Sequence, residues 1–205
     1  GGPTDGHVVR LSDHEPATRI AWLQCVGSRD QNRSANEYCS GVCCMYAIKE
    51  AVMAKEHVGQ DFEPSIFFMD MRTSGKDFEK YYTKAQDDGV RFVRSRVHTI
   101  TQADESGTLR LTYATEDGQL TSEDFDLVVL SVGMEAADSA VQTAKNLGVD
   151  VDPYRFVSTE DFNPVAASRA GVYVAGVLQG CKDIPQSVVE ASAAASCAGQ
   201  TLAQA

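Results

Sequence analysis

Four of the six cysteines, Cys25, Cys39, Cys43 and Cys44, fall within a stretch of twenty residues. Thiolates are soft, nucleophilic ligands. Such density points to a soft metal, a disulfide or redox chemistry rather than to packing. The residue types allow four readings: a 4Fe-4S site, structural zinc, a disulfide pair, and inert buried thiols. The usual zinc knuckles use paired short spacings that Cys25 and Cys39 lack, and the short-spaced cysteine run of a ferredoxin module is absent. No Cys-x-x-Cys occurs, which disfavours a redox dithiol. Cys181 and Cys197 read as small buried residues. The four histidines, and Asp70 with Arg72, show no ligand or triad spacing, and no residue is assigned a catalytic role.

The elements that must position these thiols follow from the pattern around them. Residues 19–26 form a largely apolar run ending at Gly27, the mark of a buried, parallel strand with Cys25 at its C-terminal end. After a polar loop, residues 39–56 read as a helix with Met45, Ile48 and Val52 on its apolar face, which places Cys39 and Cys43 one turn apart on that helix. A helix start there would offer unpaired N–H groups and a positive dipole end to an anionic centre. Residues 64–70 are the next buried strand. Residues 77–88 form an amphipathic helix with Phe78, Tyr81 and Ala85 inward, stopped at Gly89, and a short strand follows at 90–94.

From 96 to 126 short alternating runs separated by Glu105-Ser106-Gly107 and Asp117-Gly118 describe an antiparallel meander, and 127–132 restores a buried strand. The expected class is α/β: a doubly wound, mainly parallel sheet with an antiparallel meander insertion, the Rossmann-like plan of a nucleotide-binding domain in flavoprotein reductases. Residues 7–11 read as an isolated strand before a linker. Residues 170–177 read as a strand, and a helix is expected over about 185–202 with Ser192, Ala195 and Gly199 along one side.

Composition bounds the rest. A 205-residue chain that is 43% hydrophobic with 6 prolines is that of a folded protein. A net charge of -11 with no basic run argues against a nucleic-acid partner. No apolar run approaches the roughly 20 residues that span a bilayer, so the reading is cytoplasmic, where a disulfide is the least expected of the four fates. The start at Gly1-Gly2-Pro3 reads as the interior of something longer.

Three blocks together resemble one family, the flavin and iron-sulfur A subunits of heterodisulfide reductases: Cys25-Val26-Gly27-Ser28-Arg29-Asp30 with Tyr38-Cys39 and Val42-Cys43-Cys44-Met45-Tyr46-Ala47; Met69-Asp70-Met71-Arg72 with Gly75-Lys76; and Lys182-Asp183-Ile184-Pro185-Gln186-Ser187-Val188. The resemblance implies an oxidoreductase subunit of anaerobic metabolism with a thioredoxin-reductase-like flavoprotein core, FAD, 4Fe-4S clusters and partner subunits or electron carriers. It favours a 4Fe-4S cluster on Cys25, Cys39, Cys43 and Cys44, relaying electrons between FAD and a partner's iron-sulfur centres. The alternatives are a non-catalytic zinc-binding interaction domain and a pyridine-nucleotide disulfide oxidoreductase fragment.

The resemblance also implies a division into residues 1–17 as a linker or strand from an FAD domain, 18–134 as an NAD(P)-binding-like domain carrying the cysteines, and 135–205 as the closing FAD-domain segment. In that last segment Gly176, Val177, Lys182, Asp183, Ile184, Pro185 and Ser187 are the implied flavin contacts, with Val177 standing where many flavoprotein reductases have Asp. No Gly-x-Gly-x-x-Gly cradle is present, so the FAD site is expected to be incomplete and the isolated chain inactive. The cysteines occupy the turn that would hold dinucleotide phosphates, so NAD(P)H is not expected to bind in the usual mode.

Overall fold

The computed structural model describes residues 2–32 and 36–204. The chain divides into two compact units, Gly1–Tyr38 with Cys43–Gly133, and Cys39–Val42 with Met134–Ala205.

The first unit is built on four parallel strands, β1 (Arg19–Val26), β2 (Glu63–Phe68), β3 (Arg91–Arg94) and β7 (Leu127–Val132), in the order β3-β2-β1-β7. α1 (Cys43–Val58) joins β1 to β2, and α2 (Phe78–Asp87) joins β2 to β3. β1 is buried along nearly its whole length because both of its faces are covered, and the period-two alternation of a strand assigns each residue to a side. Ile20 and Trp22 pack with Ala47, Ile48 and Ala51 of α1 and Ala85 of α2. Ala21 and Leu23 pack with Phe67 and with Leu111, Tyr113 and Phe125 of the meander.

That meander, β4 (Val97–Gln102), β5 (Leu109–Ala114) and β6 (Leu120–Phe125), is antiparallel and connects β3 to β7. Both helices therefore lie on one face of the parallel sheet and the meander closes the other. Phe67 meets Tyr113 and Phe125 edge to face, with ring centroids 4.9 and 5.9 Å apart, a geometry that adds to area burial. Glu123 ties the layers together by accepting from Arg91 at 3.0 and 2.8 Å.

Three expected elements differ. Residues 7–11 form, among the described residues, a single bridge between Val9 and Pro16 in place of a strand, because Arg10 N–H donates to Glu15 O and His14 N–H to Arg10 O, folding the segment into a tight loop. The expected 39–56 helix starts only at Cys43, since Gly41 sits at φ 73, a left-handed turn that a helix cannot contain. The expected 170–177 strand is reduced to a single bridge, Ala166 with Tyr173, before Gly176 at φ 72 opens a 3₁₀ turn, Gly176–Leu178.

The second unit holds α3 (Asp138–Asn146), the hairpin of β8 (Thr159–Glu160) and β9 (Asn163–Ala167), that 3₁₀ turn, and α4 (Ile184–Ala203). Its core is Ala144, Val149, Val157, Ala167 and Val174. α3 escapes the periodicity test because only Val141 and Ala144 are buried on it. Among the described residues no helix is long and apolar enough to cross a membrane.

The start of β1 hangs on one carboxylate. Asp126 accepts from Thr18 N–H at 2.8 Å, Thr18 Oγ1 at 3.1 Å and Arg19 N–H at 2.8 Å, joining the chain before β7 to the chain before β1. Replacing Asp126 by Ala strands two backbone donors and is expected to cost about 2 kcal/mol, read as a lower midpoint in denaturant unfolding. An unchanged midpoint would refute this role.

Candidate metal and cofactor site

β1 does not end as a plain strand. Its register against β7 shifts between Leu23 and Val26, and Cys25 adopts φ 61, a left-handed backbone that non-glycine residues hold only where their surroundings enforce it. Ser28 N–H then donates to Cys25 O at 3.1 Å, closing a turn through Gly27 at φ 68. The loop is held further by Arg29 N–H to Tyr38 O and Asn36 N–H to Gly27 O, at 3.1 and 2.9 Å. The thiol is thus presented at the C-terminal edge of the central parallel strands, where ligands bind in open α/β sheets.

Cys43 and Cys44 are the first two residues of α1, and both are buried, as is Cys25. Gln24 pins the helix start to β1 by donating from Nε2 to Cys43 O at 2.9 Å. The Cys43 thiol lies in hydrogen-bonding contact with both Cys25 and Cys44. These contacts, followed by burial, push both outer thiols well above the ordinary thiol range. The Arg29 guanidinium opposes this at Cys25, and the Arg72 backbone N–H, donating to the Cys44 sulfur, opposes it at Cys44. Tyr46, one turn along α1, donates to Val132 O at 2.8 Å, and its hydroxyl is pushed up to about 12 by burial and by Cys43.

Three soft donors joined through Cys43 cannot all ionise unless a cationic centre takes up their charge. The 16-residue helix beginning at Cys43 carries no acidic residue in its first turn, so its positive end is not cancelled. Beside the thiols is a cavity of about 200 Å³, lined by Leu23, Gln24, Cys25, Met69 and Arg96. Gln24 Oε1 is buried without a hydrogen-bond partner among the described residues. The thiol donors and the uncancelled helix end fit a sulfur-bound anionic centre. Among the described residues no group of three or more His, Cys, Asp or Glu is gathered closely enough to hold a metal ion as it stands.

The sequence pattern puts Cys39 on the same helix face as Cys43. In the structure it instead precedes α1, in the Cys39–Val42 segment that belongs to the second unit. Gly41 N–H donates to its sulfur at 3.3 Å. Cys181 is near it within that unit: burial, and next the closeness of Cys39, push the Cys181 thiol up, while Lys182 opposes. Cys181 donates to Met134 O at 3.6 Å.

The residues implied as flavin contacts all gather at the start of α4. Asp183 caps it, accepting from Gln186 N–H at 2.8 Å, while Gln186 Oε1 accepts from Asp183 N–H at 3.3 Å, a reciprocal capping box with Pro185 in the first turn. Ser187 Oγ donates to Asp183 O at 2.8 Å. Gly176 N–H donates to Glu190 Oε2 at 2.8 Å, which fastens the 3₁₀ turn carrying Val177 to the helix. Ile184 and Val177 remain exposed. Lys182 is not a solvated lysine: it is buried and bonded to Gln179 and Glu190.

Sequence reasoning missed Glu190, gave Arg29 no role and set Asp70 with Arg72 aside. Glu190 had a signal, being the one charged residue in α4. Arg29 and Asp70 did not, since they meet across 41 positions of chain: Arg29 Nη1 donates to Asp70 Oδ1, and Arg72 Nε to Asp70 Oδ2 at 3.3 Å.

Comparison with known proteins shows the family and the fold. The family model described as "Pyridine nucleotide-disulphide oxidoreductase" matches residues 65–195. The A subunit of the H(2)/formate:CoB-CoM heterodisulfide,ferredoxin reductase of Methanococcus maripaludis is 44% identical over 209 aligned positions, covering 99% of this chain and 31% of that protein. An iron-sulfur A subunit of the CoB--CoM heterodisulfide reductase of Methanopyrus kandleri is 43% identical over 98% of this chain and 31% of its own length. The chain therefore spans about a third of the curated relatives it matches. Among solved structures, Lactococcus lactis thioredoxin reductase aligns with TM-score 0.57 at 17% identity, over 91% of this chain and 53% of that one. LpdA of Mycobacterium tuberculosis aligns with TM-score 0.56 at 10% identity, over 94% and 36%. These establish a thioredoxin-reductase-like flavoprotein fold.

Removing one partner of a buried ion pair leaves the other charge uncompensated. Glu190→Ala is accordingly expected to destabilise the second unit by about 3 kcal/mol, with Glu190→Gln, which keeps an acceptor, losing less. Thermal melting followed by circular dichroism checks the ranking; equal melting of the two variants would contradict it.

Proposed function

Since this chain belongs to the pyridine nucleotide-disulphide oxidoreductase family, and its relatives at 43–44% identity are heterodisulfide reductase A subunits, we propose that it is the electron-relay portion of a heterodisulfide-reductase-like A subunit. The observation that carries the reading is the contact of the Cys25, Cys43 and Cys44 thiols between the end of β1 and the start of α1. Cys39, four positions before Cys43 in the chain, is proposed as the fourth ligand. A 4Fe-4S cluster bound there would supply one-electron transfer, and FAD would supply the exchange between electron pairs and single electrons.

The chain's own residues do the rest. Cys25 and Cys44 give up protons as the centre binds, and Cys43, between them, has its carbonyl held by Gln24. Burial of the three thiols keeps water from the sulfurs, which matters because solvent exposure is one of the quantities that set a cluster's potential. The α4 start offers the closing side of a flavin site: a helix N-terminus, the Gly176 turn and the Lys182 ammonium held by Glu190. The turn after β1, where this fold would otherwise seat dinucleotide phosphates, is taken by the thiols, so NAD(P)H binding in the usual mode is not part of the reading. Partner subunits or electron carriers receive or deliver the electrons.

Anaerobic purification followed by iron, sulfide and zinc analysis, with EPR after dithionite reduction, tests this. About four irons and four sulfides per chain, the content of one cluster, are expected, and Cys25→Ser should lower both sharply. Stoichiometric zinc without acid-labile sulfide would overturn the relay, and unchanged iron in Cys25→Ser would show the ligand set to be wrong. A tight one-to-one FAD complex of this chain alone would contradict the view that it contributes only the closing side.

A further inference from the structure

Beside the thiols stands a charge arrangement that holding a metal does not require. The turn closed by Ser28 N–H on Cys25 O, with Arg29 itself at φ 57, brings the chain back over Cys25 four residues on, and the Arg29 guanidinium reaches the Cys25 thiol. Asp70, just past β2, accepts from the other side of that guanidinium. Arg72 bonds the second Asp70 oxygen through Nε at 3.3 Å, while its backbone N–H donates to the Cys44 sulfur. Two guanidinium groups and one carboxylate leave one net positive charge against the two outer thiols. Arg29 is three-quarters buried, with 24% of its side chain exposed, so solvent screens it less than a surface cation.

We propose that Arg29 is a positioning residue that sets the reduction potential of the centre bound at Cys25, with Asp70 as the counter-charge that limits its effect. The inference rests on the cluster reading above. Reduction adds one negative charge to the centre, and a fixed cation hydrogen-bonded to one ligand sulfur stabilises the reduced state more than the oxidised one. The potential is therefore raised by Arg29. Asp70 both aims the guanidinium and offsets part of its field. Arg suits the position because its planar fork can serve a sulfur and a carboxylate together and stays charged throughout the accessible pH range.

The test is an EPR-monitored redox titration of the anaerobically purified chain and three variants, with iron and sulfide measured on each sample. Arg29→Gln should move the midpoint potential down. Asp70→Asn should move it up, since both guanidinium groups lose their counter-charge. Arg29→Lys, keeping the charge without the fork, should fall between wild type and Arg29→Gln. A purely structural role would move Arg29→Gln and Asp70→Asn in the same direction, through loosened cluster binding, and that result overturns the proposal. So does an unchanged midpoint in Arg29→Gln at full iron content. Should Arg29→Gln lose its iron, Asp70→Asn decides: an upward shift supports the role and a downward or absent shift refutes it. Wild-type protein without iron or sulfide would instead remove the cluster reading itself, a failure the metal analysis separates from the others.

Discussion

Three thiols pressed together out of water resist ionisation, each raising the cost of charging its neighbours. That constraint organises the first unit. Cys25 and Cys44 are both held protonated by Cys43 and by burial, so they become thiolates only when a cationic centre takes the place of their protons. Neighbouring features act to lower that cost. α1 begins at the thiols with its positive end uncancelled, the Arg72 N–H reaches one sulfur and the Arg29 guanidinium another.

The fold supplies the rigidity this needs. β1 is covered on both faces, by α1 and α2 on one and by the meander on the other, so its end cannot drift, and the left-handed turn at Cys25 is sustained by the packed strand before it and the bonded loop after it. Parallel sheets of this kind collect ligands at the C-terminal ends of their strands. Here the first crossover, which elsewhere carries a glycine turn for phosphates, carries sulfur donors instead. The change of chemistry needs no change of scaffold. In the second unit, one acid in an otherwise uncharged helix holds a lysine and a backbone turn together.

Much of this was legible in the chain because it is local. The buried runs at β1, β2 and β7 and the turn signals at Gly107 and Asp117-Gly118 define the sheet and the meander without tertiary information. The capping box at Asp183 and Gln186 likewise lies within four residues. What escaped was decided by backbone conformation or by distance along the chain. Gly41 in the left-handed region delays α1 and separates Cys39 from it, although the apolar spacing alone extends the helix back to residue 39. The Arg29–Asp70 contact joins a loop after β1 to the end of β2, and neither residue has a local pattern announcing it. Residues 170–177 have strand composition, but among the described residues their pairing is limited to the bridge between Tyr173 and Ala166.

The central claim is that the thiols at the β1–α1 junction hold iron and sulfide. X-ray absorption at the iron and zinc edges of the chain purified without oxygen reads this directly. The account predicts an iron edge with a sulfur first shell and a short iron–iron shell, and no stoichiometric zinc. Zinc in an all-sulfur shell, with no iron present, would contradict it.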